Sequence, residues 1–210
     1  MENNFSEKDS LRIINEMIAQ TRSNLQIGTA DNMIFCGYFV AGIALLEVVL
    51  INIMDNPVQA NWIWLCMIPM TVINIIMRKR KDKSAIVRTP IDRIVGYIWI
   101  GFTITVGIFL AVIFSSVYVF KAWYMYGLIT PIILLLLGLA QYVMAAATKF
   151  KPFQIGAWIF WVGGLVCTIL TYYVFHRAEV SFIVLAICLI TGFVIPGHAL
   201  NRLAKKENNV

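Results

Sequence analysis

Of 210 residues, 60% are apolar and only 13% are Asp, Glu, Lys or Arg, about half the ordinary soluble share. So little charge cannot cover a globule with a wet surface, and so much apolar side chain does not stay unfolded, which excludes a soluble domain and a disordered chain. The net charge of +6 would point to nucleic acid in a soluble protein, but the placement of the basic residues accounts for it, and no nucleic-acid partner is expected.

Residues 1–32 are polar and mixed in charge. Ser6 suits a helix N-cap with Asp9 three residues on. Leu11, Ile14, Ile18, Thr21 and Leu25 recur at the 3–4 spacing of one helix face, and Gly28 suits a stop. A cytoplasmic amphipathic helix over 7–26 is expected, lying on the membrane, on the bundle, or against a protein partner or second copy. No cleavable signal pattern precedes Met33, so the first apolar run is expected to act as an uncleaved anchor.

Six apolar runs follow, at 33–54, 62–77, 94–120, 124–147, 153–175 and 180–200. A helix needs about 20 apolar residues to cross about 30 Å of hydrocarbon. Five runs meet that length. The second has 16 residues, and reaches 21 when begun at Pro57 with Asn56 as its cap. Strand-like alternation is absent, which argues against a β-barrel. The expected fold is all-α: a polytopic membrane protein of six transmembrane helices in three hairpins at 33–200, preceded by the helical segment in 1–32 and followed by a cytoplasmic tail at 201–210.

Fifteen of the 17 Lys and Arg fall in the N-terminal segment, the 78–93 loop, the Lys149–Lys151 turn and the C-terminal tail, whereas Lys121 and Arg177 alone fall on the other side. That asymmetry places both termini in the cytoplasm and the protein in the inner membrane. The densest cluster, Arg78, Lys79, Arg80, Lys81 and Lys83, suits anionic lipid headgroups as well as serving as a topology signal. Trp62, Trp64, Trp123, Tyr124, Tyr126, Tyr172 and Tyr173 gather toward the outer face as an interfacial belt. Gly37, Gly96 and Gly156, spaced 59 and 60 residues apart, and one proline in each even run (Pro69, Pro131, Pro196) hint at three related hairpins.

Chemistry is sparse. The four cysteines lie inside apolar runs with no metal-ligand spacing, the two histidines lie toward opposite faces, and no nucleophile elbow, phosphate loop or zinc motif occurs. No metal, no cofactor and no enzymatic activity is expected. Glu47 is the one charged residue within the runs. Eight residues before Asp55, it lies about 12 Å below the outer surface. Facing lipid would cost about 2.5–3.5 kcal/mol for an acid at mid-membrane, so it is expected to point into the bundle. Ser115, Tyr126 and Tyr172, on the third to fifth runs, are its expected neighbours in a candidate polar site. Asn74, Gln141 and His198 form a secondary polar set in the inner half, with interhelical hydrogen bonding as its ordinary role.

The stretch Ser6–Ile18, the run Thr89–Trp99, the Lys149–Pro152 turn and Ile195–His198 together resemble a poorly characterised family of small six-span inner-membrane proteins from Bacteroides-type bacteria. The resemblance covers nearly the whole chain. Such proteins look like neighbours of small winged-helix regulator genes, which implies a sensing or regulatory membrane role. It supplies no substrate and no site residues. A non-enzymatic role, recruiting or regulating through the cytoplasmic helix and basic loop, is therefore expected. The alternative is a small transporter or channel that uses Glu47 for a proton, a cation or a cationic substrate.

The topology is tested by cysteine labelling in intact cells. A cysteine at Asp55 should react with an impermeant reagent from outside, and one at Lys81 only after permeabilisation. Outside labelling at Lys81 overturns the orientation.

Overall fold

The computed structural model describes the backbone of residues 7–55, 57–84, 90–175 and 177–208, and side chains within 30–55, 59–76, 93–171, 173 and 177–203. Every regular element among these is helical, with no strand. Helix α1 spans Glu7–Ile53; a short α2, Pro57–Ala60, leads through a 3-10 stretch, Asn61–Cys66, into α3, Met67–Ser84. Next come α4, Pro90–Phe120; a 3-10 stretch, Trp123–Leu128; and α5, Ile129–Thr148. Helix α6, Lys151–Ile169, continues as a π-helical turn, Leu170–Phe175. Helices α7, Ala178–Leu189, and α8, Ile195–Asn208, are joined by a second π-helical turn, Ile190–Val194, into one rod.

Five stretches are long and apolar enough to cross a membrane: Ala30–Ile53, Arg93–Phe120, Trp123–Thr148, Lys151–Ile169 and Ala178–Leu203. They coincide with the first, third, fourth, fifth and sixth apolar runs. The second run becomes a shorter apolar helix, Asn61–Ile76. Long rows of apolar side chains stand exposed, such as Val72, Ile73, Ile75 and Ile76 on α3, and Ile100, Ile104, Ile108 and Val112 on α4. In water such faces would drive aggregation; in hydrocarbon they are the natural surface. The protein is an α-helical, multi-pass membrane protein.

One expectation is corrected. Gly28 stops nothing, because α1 runs unbroken for 47 residues from Glu7 to Ile53. A glycine ends a helix when it turns to positive φ, and no glycine among the described residues does so. Within a helix a single Gly costs only about 1 kcal/mol relative to Ala, which neighbouring turns absorb. Residues 7–26 are thus helical, but as the first half of a longer rod. The facing of Leu11, Ile14, Ile18 and Leu25 lies outside the described side chains, as do the caps expected at Ser6 and Asn56.

The core is built from α1, α5, α6 and the rod of α7 and α8, with α4 laid against α5 and α3 at the margin. Phe153 and Phe160 of α6 and Leu134 and Met144 of α5 are wholly buried. Small residues bring these two helices together. At Gly164 a Cβ would meet Leu135 and the Pro131 carbonyl at 3.1–3.2 Å, and Gly138 makes room for the Trp161 indole. The Trp161 Nε1–H donates to the Leu135 carbonyl at 3.3 Å. Their turn is closed by Lys149 at φ 55, by Pro152 in the first turn of α6, and by the Phe150 and Phe153 rings edge to face at 4.8 Å.

Candidate functional site

The rod of α7 and α8, which holds the sixth apolar run and is called span six for that reason, is where several interior polar groups meet. In a regular α-helix the N–H of residue 196 would donate to the carbonyl of residue 192. Pro196 has no N–H, so the Gly192 carbonyl has no i+4 donor. Just before it, residues Ile190–Val194 are wound as a π-helical turn. Gln141 of α5 supplies the missing donor: its Nε2 donates to Gly192 O at 2.6 Å, wholly buried. Space for this bond comes from Gly156 of α6, where a Cβ would overlap both Gln141 Nε2 and Gly192 O. Gly192 is itself hemmed in, since a Cβ there would meet the Phe160 ring at 3.1 Å and Gly156 O at 3.2 Å.

The same turn is gripped from its other sides. Gly37 of α1 faces Val194, with a Cβ 2.6 Å from its Cγ2. Phe193 lies edge to face with Trp99 of α4 at 5.6 Å and with Phe160 of α6 at 5.8 Å. Further inward, α1 and α8 are joined by Asn201 Nδ2 donating to Asp31 Oδ1 at 3.1 Å, by Ile34 against Gly197, and by Tyr38 Oη and His198 Nε2 at 3.4 Å.

The secondary set is thus not one cluster. Gln141 binds span six, His198 meets Tyr38, and Asn74 Nδ2 of α3 donates to Cys36 Sγ of α1 at 3.3 Å. Each is an interhelical link. Gln141 Oε1, Asn74 Oδ1 and Asn201 Oδ1 are buried with no hydrogen-bond partner.

Glu47 is wholly buried, and both its carboxyl oxygens lack a hydrogen-bond partner. It ends a buried stripe on α1 formed by Ala30, Met33, Ala41 and Ala44. The neighbours expected for it are bonded elsewhere. Ser115 Oγ donates to the Val112 carbonyl of its own helix at 2.9 Å. Tyr126 sits in an aromatic group with Phe114 and Trp123 at 6.0 and 6.1 Å. Tyr172's side chain lies outside the described residues, as do those of Arg78, Lys79, Arg80, Lys81 and Lys83, whose backbone forms the last turns of α3.

Helix α1 packs chiefly on α7 and α8 rather than on spans three to five. Ile34 lies against Gly197 and Gly37 against Val194, so steps forward along α1 match steps back along span six. Carried on in register, this antiparallel pairing sets Glu47 level with Val184, in the stretch of α7 that also holds the buried Ser181, Leu185 and Cys188. Ser181 Oγ and Thr171 Oγ1 hydrogen-bond at 3.0 Å in the buried outer half, linking α7 to the π-helical turn after α6. That hydroxyl pair was missed by reasoning from depth alone. Its signal was present: Thr171 and Ser181 are hydroxyl residues inside two predominantly apolar runs. Among the described residues no three His, Cys, Asp or Glu side chains gather as a metal site.

Comparison with known proteins adds no identification: no family model, curated protein or solved structure matches the chain.

Gly156→Ala should destabilise the protein by about 1–3 kcal/mol, because the added methyl displaces Gln141 from Gly192. Gly42→Ala and Gly107→Ala, where nothing lies within 4 Å of a new Cβ, should be neutral or slightly stabilising. Thermal unfolding in one detergent compares the three. Equal losses at all three positions would contradict the assignment.

Proposed function

We propose that the protein is a non-enzymatic regulator of the inner membrane, sensing within the bundle and acting on a cytoplasmic partner through the N-terminal half of α1. The observation behind this reading is the continuity of α1. The 23 residues from Glu7 to Thr29 extend about 35 Å beyond the apolar part of the same helix. A displacement of span one against span six therefore moves the arm as a lever, with no hinge between.

In this reading the chain has six spans in three hairpins, both termini in the cytoplasm. Asn61–Ile76 is the sixth crossing, lengthened by its 3-10 stretch, which rises about 2.0 Å per residue. Helix α3 then carries Arg78–Lys83 to the inner surface, where the cluster suits anionic headgroups. The resemblance to regulator-linked membrane proteins agrees with this role.

Burial of Glu47 without a hydrogen-bond partner favours a second reading, a small proton or cation transporter. One pair of measurements separates the two. A photo-cross-linker at Ile14 or Ile18 in living cells should give a discrete protein adduct, and one at the exposed Ile108 of α4 should not. Proteoliposomes should show no proton flux that depends on Glu47. Flux abolished by Glu47→Gln, with no protein adduct at the arm, would establish transport instead.

A further inference from the structure

The carboxyl of Glu47 is the least ordinary group in the interior. On α1, the helix that packs on α7 and α8, it is wholly buried, and among the described residues neither oxygen receives a hydrogen bond. A buried carboxylate without donors or a cation is strongly disfavoured, whereas a neutral acid needs only a proton. Among the described residues the groups that could compensate a charge stand elsewhere; Arg177, just before α7, is exposed about two turns farther out. On α7, Glu179 is about a turn and a half farther out and the buried Cys188 about one turn farther in. On α8, His198 is engaged with Tyr38 and Arg202 is exposed near the inner end. Helix α2 carries no titratable residue; the 3-10 stretch after it carries the exposed Cys66. On α3, Asp82 and the basic cluster lie at the inner end. On α1 itself, Asp31 bonds Asn201, Cys36 accepts from Asn74, and Asp55 lies beyond the helix end. The Ser181–Thr171 pair, at Glu47's level, is already bonded within itself.

We propose that Glu47 is a proton-binding site that keeps spans one and six closed against each other, so that loss of its proton opens the seam and moves α1. A bare carboxylate left there must be reached by water or a cation, and the close contact of α1 with α7 must part to admit either. The Ser181 and Thr171 hydroxyls are then the first donors that a charged Glu47 would meet. Movement of the cytoplasmic arm is the step that rests on the regulatory reading; the proton site does not.

The test uses the full chain in nanodiscs, with Cys66 replaced by alanine. Spin labels are placed on cysteines at Leu46 and Ile187, both exposed on the outer surfaces of α1 and α7. The inter-label distance should pass from one closed value to a longer one as pH rises. The open-to-closed ratio should grow about tenfold per pH unit until the proton is lost, as linkage to one proton requires. Glu47→Gln should hold the closed distance at every pH, matching the parent's low-pH value, and Glu47→Asp should restore a response. A Glu47→Gln response equal to the parent's, or a parent distance that never changes, overturns the proposal. Infrared difference spectra of the parent with isotope-labelled glutamate test it without any substitution at Glu47. A protonated carboxyl band should disappear as the distance lengthens, and its absence at low pH also overturns the proposal. A second label pair, at Ile18 and Leu203, follows the arm. A seam that opens while the arm stays still leaves the proton site standing and refutes the regulatory reading.

Discussion

In hydrocarbon no water stands ready to bond a stray backbone carbonyl, and the interior of this protein is arranged around one such group. Pro196 deprives Gly192 of its helical donor, and Gln141 replaces it from a neighbouring helix. Gln141 and Gly192 are 51 positions apart in sequence and are brought together only by the fold. Most of the bundle's close packing refers to this place. Gly156 clears room for the bond, Gly37 admits Val194 from the opposite side, and Phe193 spreads between Trp99 and Phe160. Span six is thereby held between α1 on one side and α5 and α6 on the other, with α4 touching its turn.

The consequence is an uneven molecule. Helices α5 and α6 form a tight pair through Gly138, Gly164 and Ala157, and α1 closes on span six through Ala30, Gly37, Ala41 and Ala44. By contrast, α3 and α4 show most of their isoleucines and valines outward, and Gly101 and Gly107 face open space. Small residues on the inner helices let backbones approach, and branched apolar ones on the outer helices meet lipid. A second close seam joins α1 to span six, and the buried Glu47 lies on α1.

Composition and run length made the helical membrane fold legible, because the need for about 20 apolar residues is a one-dimensional signal that survives without any knowledge of packing. Burial of Glu47 followed from the cost of an acid facing lipid. Its surroundings did not follow. Ser115 and Tyr126 were matched to it by depth, but depth does not say which helices touch, and α1 packs on span six; the side chain of Tyr172, the third match, lies outside the described residues. The stop at Gly28 failed because a lone glycine ends a helix only when its backbone turns to positive φ, which tertiary context decides. Gln141 was marked as a polar residue in an apolar run. Its partner was readable in principle, since a proline four residues after a glycine announces a carbonyl in need of a donor.

The most direct measurement of this arrangement is a double-mutant cycle between Gln141→Leu and Pro196→Ala, followed by reversible unfolding in mixed micelles. With Pro196 present, losing the Gln141 donor strands the Gly192 carbonyl, and the expected loss is about 0.6–1.7 kcal/mol, the range of interhelical hydrogen bonds in membranes. With alanine at 196, the restored N–H can serve Gly192 from within the helix, and the same Gln141→Leu change should cost close to nothing. A coupling of that size between the two positions is what the account requires. Strictly additive effects would show that Gln141 does not stand in for the donor that Pro196 lacks, and would contradict it.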